Sequence, residues 1–90
     1  MLHIWGDEDR STSGQRRPAL SAAITTARDV VVDLRELRFA DCSVMVDLAV
    51  LAQRLRADGR RLRLRGPQPQ IQRLIEIVRL DRQPAVTLDA

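Results

Sequence analysis

Asp41, Cys42 and Ser43 stand in a row where a charged turn gives way to an apolar, helix-periodic run. A helix start carries unpaired N–H donors and partial positive charge, so small oxygen- and sulfur-bearing side chains belong there. Asp41 and Ser43 therefore read both as caps and as groups facing a partner. Cys42 has two readings. A helix start favours thiolate chemistry and a neighbouring carboxylate opposes it, so Cys42 is either a redox switch or a small, inert side chain. A second polar cluster, Asp7 to Asp9, follows Gly6 and reads as a solvated acidic turn or as part of a partner-facing surface. His3 is the sole histidine, so a histidine-based triad would rest on the first few residues. No paired general acid and base, glycine-rich phosphate loop or metal-ligand spacing occurs. The expected role is that of a protein-binding module, not an enzyme, with no cofactor and no metal.

The elements that must position these residues follow from periodicity. Leu2, Ile4 and Trp5 suggest a short strand ending at Gly6, and residues 6–15 read as a turn-rich loop. Thr12 or Ser13 can cap a helix. Pro18 suits a first helical turn, which places the firm part of the first helix at 18–27, with Leu20, Ala23, Ile24 and Ala27 on one face. Residues 30–34 are β-branched and apolar, as in a strand covered on both faces. Asp33 follows that strand and is expected to hold the turn by hydrogen bonds, with Phe39 seating the turn in the core.

A second helix is expected over about 43–58, with Val44, Leu48, Leu51, Ala52 and Leu55 at helical spacing. Met45, Val46, Ala49 and Val50 widen its apolar stripe, which reads as core or as interface. Gly59 is a good stop. Leu62 and Leu64 alternate with arginines over 61–65, which turns the leucines to a core and the arginines to a solvated or partner-facing side. A third helix over about 69–79 carries Ile71, Leu74, Ile75 and Val78, and 85–88 forms a last strand. Strands alternating with helices predict an α/β fold with a centrally parallel sheet.

The bulk numbers set the class. Ninety residues make a single domain over 1–90 with one core. All 15 basic residues are arginine against 12 acids, for a net charge of +3. Only Trp5 and Phe39 are aromatic, which gives no stacking platform for single strands, so direct nucleic-acid binding is not expected. A lone cysteine makes no internal disulfide. No apolar run approaches a membrane span, and the first ten residues lack a signal-peptide layout, so the expected location is the cytoplasm, without membrane insertion.

Four stretches in order carry a resemblance: GDED after a strand, VVVDLRELRFADCS leading into an apolar helix, GRRLRLRG, and LIEIVRLD. Together they resemble the STAS domain of bacterial anti-sigma factor antagonists, also found on the cytoplasmic tails of sulfate transporters. The resemblance covers nearly the whole chain. Its most specific part is Asp33-Leu34, then Phe39, then Asp41 to Ser43. It implies a STAS-like mixed sheet with helices packed on it. It also implies a partner: an anti-sigma factor of the serine-kinase type, bound so that a sigma factor is freed and transcription regulated.

The family motif is Asp-Ser-Ser-Gly, with its first serine phosphorylated. Asp41 matches the acid, Cys42 falls on the phosphoacceptor, Ser43 matches the second serine and is a candidate substitute acceptor, and Val44 replaces the glycine. The family's fold sets Asp9 beside this helix start, so the resemblance implies a partner surface of Gly6, Asp9, Asp41, Cys42 and Ser43. Three departures stand out. The family's first strand and last helix look absent or vestigial, and Arg16 occupies a position usually apolar. An uncovered edge invites pairing of two copies, a homodimer. The alternative function is a small STAS subunit docking on the ATPase of a membrane transport complex, which needs no phosphoserine.

Overall fold

A computed structural model of the chain describes residues 2–26 and 28–89. Two short strands open it, β1 (Leu2–His3) and β2 (Gly6–Glu8), followed by helix α1 (Ser13–Ile24). Strands β3 (Val30–Asp33) and β4 (Leu37–Ala40) lead into helix α2 (Cys42–Ala57). Strand β5 (Leu62–Arg65), helix α3 (Pro69–Ile77) and strand β6 (Val86–Asp89) complete it. The result is an α/β domain whose main sheet has the order β1-β3-β5-β6, with every pairing parallel. No helix among the described residues is long and apolar enough to cross a membrane.

Each new strand joins the same side of the growing sheet. Right-handed crossovers in one direction then put every helix over one face. The burial pattern agrees. Leu62 and Leu64 are fully buried beneath the helices, while Arg63 and Arg65 point to solvent, as the alternation predicts. One apolar cluster joins Val32, Leu62 and Leu64 of the sheet to Leu48, Leu51 and Leu55 of α2 and to Ile71 and Ile75 of α3.

The opposite face is bare. The expectation that β3 is covered on both faces fails there: Val31 is only half-buried, and His3, Arg63 and Arg65 stand beside it in solvent. This face is held by charge instead. Asp33 pairs with Arg35, with Nη2 2.7 Å from Oδ2, and also accepts the Arg35 backbone N–H at 3.0 Å. Asp33 is thus the last residue of its strand and still holds the turn. Arg63 reaches Asp89 at 2.8 Å. Gly66, at φ +64°, leaves the room Arg35 needs, because a Cβ there would overlap its side chain.

Two further expectations change. Helix α1 begins at Ser13, a turn before Pro18, which the helix accommodates inside its length. Ala27 lies outside the described residues. The loop expected over 6–15 and the turn expected after residue 34 each contain a strand, because β2 and β4 pair in parallel, with Asp7 opposite Phe39. Leu37 lies in the core, while Phe39, two residues on along the same side of β4, is 54% exposed, so Leu37, not Phe39, seats the turn. Helix α2 fits its expected bounds. It stops where Gly59, at φ +72°, donates its N–H to the Arg56 carbonyl.

Candidate functional site

The β2–β4 pair brings the two polar clusters together. The Asp41 N–H donates to the Glu8 carbonyl at 3.2 Å, and the Arg10 N–H donates to Asp41 Oδ2 at 3.1 Å. Asp41 is the N-cap of α2, accepting the Ser43 N–H on Oδ1 at 2.9 Å and the Ser43 hydroxyl as well. Losing such a cap costs about 1 kcal/mol. Asp9 plays the same part in its own loop. Its Oδ1 accepts the Ser11 N–H at 2.8 Å, the Ser11 hydroxyl, and the Thr12 N–H at 3.3 Å. Both carboxylates are spent on local structure.

Arg16 ties the assembly together, and sequence reasoning passed over it as a departure. It is 6% exposed and sits where α1, the loop and α2 converge. Nε donates to Asp47 Oδ2 at 2.8 Å, Nη1 to the Asp9 carbonyl at 2.8 Å and the Thr12 hydroxyl at 3.2 Å, and Nη2 to Ser43 Oγ at 3.0 Å. Glu8 lies 3.9 Å away and adds a second negative charge. The available signal was spacing: Asp47 falls four residues after Ser43, which puts both on one side of α2, toward a single cation.

The Ser43 hydroxyl therefore donates to Asp41 and accepts from Arg16, and it is turned inward. Cys42 is exposed. Beside it, Met45, Val46, Ala49 and Val78 line a shallow apolar hollow. Gly6 adopts φ +71° at the start of β2, next to the exposed Asp7. What faces outward at this end is thus Cys42, Val46 and Asp7, while Asp9, Asp41 and Ser43 build the frame behind them.

The family described as "Mlab, STAS domain" matches residues 1–88. The chain belongs to the STAS domain family. No curated protein matches it significantly. The match spans the departures noted above, so this STAS domain keeps its fold with Arg16 in its first helix and Cys42-Ser43-Val44 at the second.

The frame makes stability depend on pH. The Ser11 hydroxyl holds the Asp9 carboxyl below its usual range, the Ser43 hydroxyl does the same for Asp41, and the Arg35 guanidinium holds Asp33 far below it. At and below the ordinary carboxylate value near 3.9, the unfolded chain binds more protons than the folded one. Stability is thus complete above that value and falls as the pH drops toward the lower native values. Urea midpoints measured at decreasing pH should show this acid limb, and Asp33→Asn should flatten it more than a change at an exposed acid such as Asp7→Asn. Equal acid limbs in all three proteins would refute the assignment.

Proposed function

We propose that this STAS domain is an anti-sigma factor antagonist-like protein that binds a kinase-type anti-sigma factor without itself being switched by phosphorylation. It thereby regulates sigma-factor-dependent transcription by occupancy, as a binding module and not an enzyme. The observation that supports the reading is the joined surface of the β2 loop and the α2 start. It presents Cys42 at the phosphoacceptor position and withdraws the only adjacent hydroxyl into the Arg16–Asp41 frame. Cys42, Val46 and Asp7 make the contact, and Gly6, Asp9, Asp41 and Ser43 hold the contacting shape.

The same observation favours a second reading, a STAS subunit docked on the ATPase of a membrane transport complex. Such docking calls for no phosphoserine, and the matching family description names a STAS domain without reference to sigma factors. Calorimetric titration of the purified chain against kinase-type anti-sigma factors and transport ATPase subunits from its own genome separates the two. Cys42→Arg should weaken the true complex at least tenfold, about 1.4 kcal/mol, while leaving the melting temperature unchanged because the side chain is exposed. Undiminished binding would remove Cys42 from the interface. Binding to neither partner class would overturn both readings.

A further inference from the structure

A second concave surface lies around the helix pair from Cys42. Helices α1 and α2 both return between parallel strands, so they run side by side in the same direction. Between them is a cleft of about 320 Å³. Leu20 and Leu51 form its floor, and Ile24 lines its α1 wall. Val46 and Val50 stand on its α2 wall, 58% and 45% exposed. Two valines a helical turn apart, left in solvent beside an apolar floor, have no part in the core and mark a contact surface.

The charges at the two ends specify what fits. Arg17 marks one end, level with Asp47, which its neighbour Arg16 neutralises. Arg54 marks the other, seven positions beyond Asp47 on α2 and hence about 10 Å along the cleft. Both are exposed, and neither has a hydrogen-bond or ion-pair partner among the described residues. An apolar trough with a free cation at each end is complementary to an amphipathic helix with apolar residues at one-turn spacing and an acid at each end of that stripe, two turns apart.

We propose that the α1–α2 cleft is a docking site for an acidic amphipathic helix of a partner protein, a surface that adjoins the Cys42 surface at Val46 and runs away from it along α2. The apolar side chains lie against Val46, Val50 and Ile24, and the two carboxylates pair with Arg17 and Arg54.

The test uses the full chain and a fluorescently labelled synthetic helix of about four turns, with leucines at one-turn spacing and glutamates two turns apart. Anisotropy should rise on titration with the native protein. Arg17→Glu with Arg54→Glu should weaken binding at least tenfold, and replacing the peptide glutamates by arginines should restore it to that double variant. Val46→Asp should abolish binding to either peptide while preserving the circular dichroism spectrum. Equal binding of acidic and basic peptides, or none, would overturn the proposal. Two other outcomes would overturn it by naming a different occupant. One is Arg17- and Arg54-dependent binding to phosphatidylglycerol vesicles with none to the peptide. The other is a dimer of the chain alone that Val46→Asp dissolves. No nucleotide-binding partner enters this experiment, so its failure leaves the Cys42 reading standing.

Discussion

Arg16→Met is expected to cost about 3 kcal/mol of folding stability, the low end for removing one partner from a buried charge pair. The side chain that replaces it fills similar space, so the loss is electrostatic. Asp47 and Glu8 lose their common cation, and the Asp9 carbonyl and the Ser43 hydroxyl each lose a charged donor. A domain of this size has about 5–15 kcal/mol in total, so the urea midpoint should drop sharply and the melting temperature should fall by on the order of 15 °C. Arg16→Lys should recover only part of the loss, because one ammonium cannot reach acceptors on three segments at once. The double change Arg16→Met with Asp47→Leu should be less damaging than Arg16→Met alone, since the carboxylate that bonded Arg16 directly is then not left unpaired. A native midpoint in Arg16→Met would show that the guanidinium is not what joins α1 to α2.

Incubation with a cognate anti-sigma kinase and ATP should leave the natural chain unmodified and place one phosphate on the Cys42→Ser variant. Phosphoryl transfer needs the attacking oxygen in line with the γ-phosphate. Position 42 is exposed and presents sulfur. Position 43 presents an oxygen, but one residue along a helix turns a side chain by about 100°, and that oxygen is already bound on both sides. A serine at 42 puts a free hydroxyl outside the frame, at a helix start where a phosphate dianion is well accommodated. Intact-mass spectrometry followed by peptide mapping reads the result. Stoichiometric phosphate on Ser43 of the natural chain would show that the frame opens for the kinase and that the switch survives one residue along.

The long periodic segments were legible in the sequence because many positions vote together. Helix α2 combines a capping acid, an apolar stripe and a terminal glycine, and β5 alternates leucine with arginine without exception. The meeting of the 6–9 segment with the α2 start was legible from the family resemblance alone. The strands β2 and β4 were not legible. Gly-Asp-Glu has little strand character, and its pairing with Leu37–Ala40 is decided by the distant partner. Phe39 was misplaced for a different reason: it shares its side of β4 with Leu37, and only the three-dimensional packing shows that the core ends before it. Arg16 was hidden for another reason. A buried arginine is uncommon, and its four hydrogen bonds go both to the loop just before it and to α2, about thirty residues on. The two faces of the α2 stripe were also merged. Counting apolar residues widened the stripe to include Val46 and Val50, and only the position of α1 shows that these two lie beyond the core.

The strand order β1-β3-β5-β6 also bears on how the chain is made. No later strand inserts between two earlier ones, so the sheet can accrete in the order in which a ribosome delivers it. Each new strand docks on the edge last completed. One contact runs against that sequence. The Ile24 carbonyl that ends α1 and the Thr26 carbonyl just beyond it accept hydrogen bonds from the guanidinium of Arg60, which lies just before β5. Thr25 and Thr26 cap the Ala22 and Ala23 carbonyls locally, but the Ile24 and Thr26 carbonyls wait for Arg60 through the synthesis of the whole second helix. A nascent chain that stalls between residues 30 and 60 lacks the Arg60 anchor on the segment that follows α1 and carries an open β3 edge. That interval is the one in which a chaperone or a protease has the most to recognise.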